Sequence, residues 1–114
     1  MGKCLLACLS SRELEEVLYG YDFQAFTSHT FTSKASFVKY LHQVRKQGWA
    51  MDNEEYQIGH CCIASPVFDY RGDAIAAVGV SGTPSSISKD RIPDISRQVI
   101  LAAQRISERM GYIE

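Results

Sequence analysis

At 114 residues, with 46% hydrophobic and 22% charged side chains, the chain has room for one domain and one core, and it is too apolar for disorder. A formal net charge of -1 removes any bulk electrostatic pull toward nucleic acid. No apolar run approaches the roughly 18 residues that a membrane span requires.

Met1 to Leu9 (MGKCLLACL) has only a short, broken apolar part, and an amphipathic segment follows at once. It reads as a short helix packing inward from Gly2, not as a signal peptide. The cysteines Cys4, Cys8, Cys61 and Cys62 match no disulfide spacing, so reduced thiols in the cytoplasm are expected. Ser10 and Glu13 form a capping box for the next helix, with Leu14, Val17 and Leu18 as its apolar face and a stop near Gly20. Tyr21 to Thr32 is an aromatic and hydroxyl-rich loop. Ser33 caps a further helix whose buried stripe is Phe37, Leu41 and Val44, whose solvent face carries Lys34, Lys39, Arg45 and Lys46, and which Gly48 ends.

Trp49-Ala50-Met51 is a short strand, and Asp52-Asn53-Glu54-Glu55 an acidic loop. His60 to Phe68 and Asp73 to Ser81 form a hairpin around the turn Asp69-Tyr70-Arg71-Gly72. Gly82 to Arg91 is a polar loop with Pro84. The last helix has Pro93 in its first turn, a stripe of Ile95, Val99, Ala102, Ala103, Ile106 and Met110, and Gly111 at its end. Helices early and late with antiparallel strands between them predict an α+β fold, helices covering one or both faces of the sheet.

A symmetric turn sets Phe68 opposite Asp73, Cys62 opposite Gly79 and His60 opposite Ser81. One face then carries the small residues Cys62, Ala64, Ala77, Gly79 and Ser81. That leaves room for a small polar ligand, or for a helix packed closely; both readings stay open. A one-residue bulge would undo the register. A Cys62 nucleophile with His60 as base lacks an orienting third group. Cys4 and Cys8, four apart on a helix, with Cys62 or His60, lack the spacing of a zinc motif. Asp52, Glu54 and Glu55 as paired acid and base compete with the reading of a solvated loop. Gly79-Val80-Ser81-Gly82 lacks the lysine and the strand–loop–helix order of a phosphate loop. Neither a metal nor a cofactor is expected.

The run Gly48 to Glu55 (GWAMDNEE), then Gly59 to Pro66 (GHCCIASP), then Ala76 to Gly82 (AAVGVSG) resembles the IclR family of bacterial transcriptional regulators. Gly2 to Ala7 (GKCLLA) is similar to the family's G-K-A helix, and Phe26-Thr27 with Thr32-Ser33 to its Y-T-x-x-T stretch. The resemblance implies a GAF-like antiparallel sheet flanked by helices, as the C-terminal part of an effector-binding domain over residues 1–114. It also implies a small organic acid effector such as a sugar acid or keto acid, a homo-oligomer (dimer or tetramer), and repression of a catabolic operon. DNA would be bound only by a winged helix-turn-helix domain that these residues do not include, and no membrane is involved. Matched position by position, the family's effector contacts fall on Gly2, Asp52, Cys62, Gly79 and Ser81. Three departures stand out. The chain starts at the G-K-A helix, without the leading strands and with part of the pocket loop absent. Gly79 replaces a common Ser, which implies extra space and a bulkier effector; Thr83 replaces a common Pro.

Overall fold

The computed structural model describes residues 2–20, 31, 33–55 and 57–113. The aromatic loop at 21–30, and with it Phe26, Thr27 and Thr32 of the threonine-rich stretch, lie outside the described residues.

Four helices and three strands follow one another as α1 (Gly2–Ala7), α2 (Ser11–Leu18), α3 (Lys34–Gln47), β1 (Ala50–Asn53), β2 (Cys61–Phe68), β3 (Ala74–Gly82) and α4 (Ile92–Arg109). The capping box forms: Glu13 N–H donates to Ser10 Oγ at 3.2 Å and Ser10 N–H to Glu13 Oε1 at 3.1 Å. Gly48 ends α3 in the left-handed region, at φ 86°, with its N–H on Val44 O at 2.8 Å. That conformation has no steric penalty only for glycine.

The sheet is antiparallel in the order β1-β2-β3 and has helices on both faces. On one face Cys4 and Ala7 of α1, Leu14 and Leu18 of α2, and Leu41 and Val44 of α3 enclose Ala50 and Ala64. On the other, Val99 of α4 and Ile87 pack on Cys61 and Ile63. The α+β expectation holds, and the strand at Ala50 extends two residues into the acidic run. Two predicted stripes are rotated. Val17 is exposed while Leu14 and Leu18 are buried. In α4 the residues against the sheet are Ser96, Val99, Ala103 and Ser107, whereas Ala102, Ile106 and Met110 are exposed. The two buried serines explain the miss. Each hydroxyl donates to a carbonyl of its own helix, Ser96 to Pro93 O at 3.0 Å and Ser107 to Ala103 O at 2.8 Å. A small, internally satisfied hydroxyl can therefore face the sheet at close range.

The hairpin register departs twice from the symmetric expectation. Asp69 N–H bonds Asp73 O at 3.0 Å, so the loop is Tyr70-Arg71-Gly72, with Gly72 at φ 83°, and Phe68 faces Ala74. A bulge between Val67 and Phe68 adds the second step, and beyond it Val67 faces Ala76, Ala64 faces Gly79 and Cys62 faces Ser81. Each offset is one residue. Strand side chains alternate with period two, so the offsets together restore the predicted face while moving every partner along by two.

Candidate functional site

Asp52, Cys62 and Ser81 are direct cross-strand neighbours, one from each strand. Residues opposite one another in a sheet share a face, so the carboxylate, the thiol and the hydroxyl form one transverse row. The next row is Ala50, Ala64 and Gly79. There α1 comes down on the sheet, with Cys4 Sγ donating to Ala64 O at 3.1 Å. Of the two uses left open by the sequence, close helix packing is present on part of the small-residue face. A helix packs on the Ala64 row, while in the adjacent row Cys62 and Asp52 are half-buried and Ser81 is exposed.

Gly79 does not supply free space. A Cβ built there would lie 2.6 Å from Ile63 O and 3.0 Å from the Ala64 Cβ. The volume that a side chain would occupy is taken by strand β2 itself. The inference that Gly79 enlarges the site is corrected on that ground. Gly2 is the exposed first residue of α1.

Asp52 Oδ1 accepts the Glu55 N–H at 3.0 Å, which folds the acidic segment back on the strand. Glu55 is an ion-pair partner: Lys3 Nζ reaches its carboxylate at 2.6 Å and Met51 O at 2.6 Å, with side chains only 12% and 16% exposed. The ammonium lies 4.9 Å from the Tyr40 ring centroid and 5.3 Å from that of Phe31, within cation–π range. Tyr40 Oη in turn accepts the Met51 N–H at 2.9 Å. Burial raises the Tyr40 pKa. Sequence reasoning passed over this cluster because its members are 48 and 52 residues apart along the chain. The signal available was the lysine of GKCLLA, an amphipathic residue in an otherwise apolar helix.

The chemistry of the thiols speaks against nucleophilic catalysis at Cys4, Cys8 and Cys61. Burial raises all three pKa values, which keeps them protonated at neutral pH. His60 is exposed and precedes β2. Among the described residues no three His, Cys, Asp or Glu side chains are placed to hold a metal ion. No described helix is long and apolar enough to cross a membrane. A groove of about 930 Å³ opens elsewhere, bordered by Cys8, Arg45, Pro66, Gln104 and Tyr112, and none of the five matched residues borders it.

A family model described as "Bacterial transcriptional regulator IclR C-terminal" matches residues 1–108. The HTH-type transcriptional regulator KdgR of Escherichia coli is 38% identical over 98% of this chain and 43% of its own length. The crystal structure of the KdgR C-terminal domain superposes with a TM-score of 0.90, covering 98% of this chain and 68% of that one. The transcriptional repressor IclR of E. coli is 34% identical over 96% of this chain and 40% of its own length. The inducer-binding domain of the Acinetobacter transcription factor PobR, solved as a double mutant with 3-hydroxybenzoic acid, superposes with a TM-score of 0.84 at 25% identity, covering 93% of this chain and 61% of that one. The chain spans about two fifths of the length of the curated relatives it matches.

Proposed function

The chain belongs to the IclR C-terminal family of bacterial transcriptional regulators, and from that premise we propose that it is the effector-sensing portion of a cytoplasmic repressor of a catabolic operon. The effector is a small organic acid, a sugar acid or keto acid. Gly2, Asp52, Cys62, Gly79 and Ser81 form its site, on the C-terminal part of an effector-binding domain. The observation that carries this reading is the single row Asp52–Cys62–Ser81 across three strands. It offers a carboxylate to accept hydroxyl hydrogen bonds, and a hydroxyl and a thiol that can donate. The hydroxy acid in the PobR inducer-binding domain, a structural relative, supports the ligand class. Gly79 contributes by letting β3 lie close to β2, which sets the height of Ser81 above the floor. The protein works as a homo-oligomer, dimer or tetramer, and DNA is contacted by a separate winged helix-turn-helix domain of the complete regulator.

Thermal unfolding against a panel of sugar acids and keto acids tests this. A ligand at about a hundred times its dissociation constant stabilises the folded state by roughly 2.7 kcal/mol. The expected result is a shift with one member of the panel, lost in Ser81→Ala and Cys62→Val while both variants keep the ligand-free melting temperature. A panel with no active member, or a full shift retained in both variants, overturns the reading.

A further inference from the structure

Several parts of the chain meet at the Lys3 ammonium. From α1 it reaches the outer edge of β1, where Met51 O accepts from it at 2.6 Å and both carboxylate oxygens of Glu55 accept at 2.6 Å. The rings of Phe31 and of Tyr40 from α3 lie against it, with their own centroids 5.4 Å apart. An ammonium this deeply placed needs a carboxylate and hydrogen-bond acceptors to offset its lost hydration, and it has both.

What the ammonium holds is the strand on either side of Asp52. Alternate residues of a strand direct their backbone groups to opposite edges. Met51 and Asn53 direct theirs outward: the Met51 N–H donates to Tyr40 Oη at 2.9 Å, and the Asn53 N–H to Glu55 Oε2 at 3.1 Å. Asp52 between them is paired with Cys62. Glu55 then returns its own N–H to Asp52 Oδ1 at 3.0 Å. One residue thus bonds Lys3 and Asn53 through its carboxylate and Asp52 through its backbone. Among the described residues Asp52 Oδ2 has no hydrogen-bond partner. Charge acts in the same direction. An organic acid approaching Asp52 also approaches Glu55, and the ammonium on Glu55 offsets that repulsion.

We propose that Lys3 is a positioning residue of the effector site: through Glu55 it fixes the Asp52 carboxylate, with Oδ1 held and Oδ2 left for a hydroxyl of the organic acid. The proposal rests on the effector reading of the Asp52–Cys62–Ser81 row and adds a residue outside the five matched positions. Without the ammonium, Met51 O loses its donor. The Glu55 carboxylate, 16% exposed, is left with an uncompensated charge that draws it toward water and takes its N–H away from Asp52.

Amide hydrogen exchange followed by NMR on the 114-residue chain tests this, with Lys3→Met and with Lys3→Met combined with Glu55→Gln. The double variant removes both charges, so no unpaired carboxylate remains to unfold the protein. In both variants the amide at position 55 is expected to exchange about tenfold faster, as the loss of one hydrogen bond dictates. The amides of Ile63 and Val67 in β2 should keep their protection. The panel of sugar acids and keto acids, D-gluconate and pyruvate among them, is then run on the double variant by thermal unfolding. The variant is expected to keep the parent's ligand-free melting temperature and to need about tenfold more of the acid that shifts the parent. A merely structural role would lower the ligand-free melting temperature and leave the concentration dependence in place. An amide at position 55 that stays protected in both variants overturns the proposal, as do core amides that loosen by the same factor. So does an acid that shifts the double variant at the concentrations that shift the parent. A panel with no active member overturns the effector reading alone, because exchange judges the hold of Lys3 on Asp52 without any acid present.

Discussion

Gly79 is the residue at which sequence matching and structure part company. A family motif places it at an effector contact and makes its missing side chain look like added room. The geometry spends that room on the approach of β3 to β2, since a Cβ would meet Ile63 O at 2.6 Å. The obstacle is backbone, not the movable end of a side chain, so an added methyl group must shift the strand. Gly79→Ala is therefore expected to destabilise the domain by about 1–3 kcal/mol, read from the midpoint of urea unfolding at unchanged slope. A neutral result would mean that the strands separate freely at that point. That Cys62, Gly79 and Ser81 share a face was legible from alternation along the strands, whereas Asp52 was read into a loop and its place opposite Cys62 was not legible. Nor was the cluster of Lys3, Glu55 and Tyr40. A contact spanning 52 residues between Lys3 and Glu55 leaves no periodic trace.

The element that shows most clearly what a local rule can and cannot supply is the β2–β3 hairpin. Its turn was readable from Asp69-Tyr70-Arg71-Gly72, and its register was not, because the extra residue at the bulge, Ile75 of β3, is neither a glycine nor a proline that would announce it. Capping boxes and glycine stops were readable for the opposite reason: each is closed within four residues. The turn is held by the nearly buried Asp69 carboxylate. It accepts the Arg71 guanidinium at 2.8 Å, the Arg71 N–H at 2.9 Å and the Asp73 N–H at 3.2 Å. The Arg71 side chain first, and the two backbone donors after it, hold this carboxyl below the ordinary aspartate value against the opposing effect of burial. A depressed folded-state pKa stabilises fully above the unfolded value, about 4, and that stabilisation is lost as pH falls through the folded value. The parent is thus expected to lose stability with a steeper acid limb below about pH 4 than Asp69→Asn. The variant should start lower at neutral pH and converge toward the parent as the pH drops. Parallel stability-against-pH curves for the two proteins would remove Asp69 from this role.

For the whole molecule, charge sets what these residues can bind unaided. Twelve lysines and arginines stand against thirteen aspartates and glutamates, so no long-range field attracts a polyanion. The densest local positive charge is the outer face of α3, where Lys34, Lys39, Arg45 and Lys46 are exposed while Leu41 and Val44 are buried. One of these is already engaged, Lys34 Nζ lying 2.7 Å from Glu15 Oε2. Reading a base sequence needs side chains that reach base edges in a groove, as well as cations on the phosphates. Helix α3 is anchored by its own apolar face and presents long, flexible lysines, which suit phosphate contact without readout. The 114-residue chain is therefore expected to retain duplex DNA weakly in a gel shift at about 50 mM salt. It should do so equally for any sequence, and lose it by roughly 200 mM, as counterion release dictates for a few phosphate contacts. Adding the effector should change neither behaviour, because the Asp52–Cys62–Ser81 row belongs to the sheet and α3's basic residues face solvent. Retention at 200 mM salt that depends on DNA sequence would place operator recognition within these residues, and with it the need for a reading element that α3 does not provide.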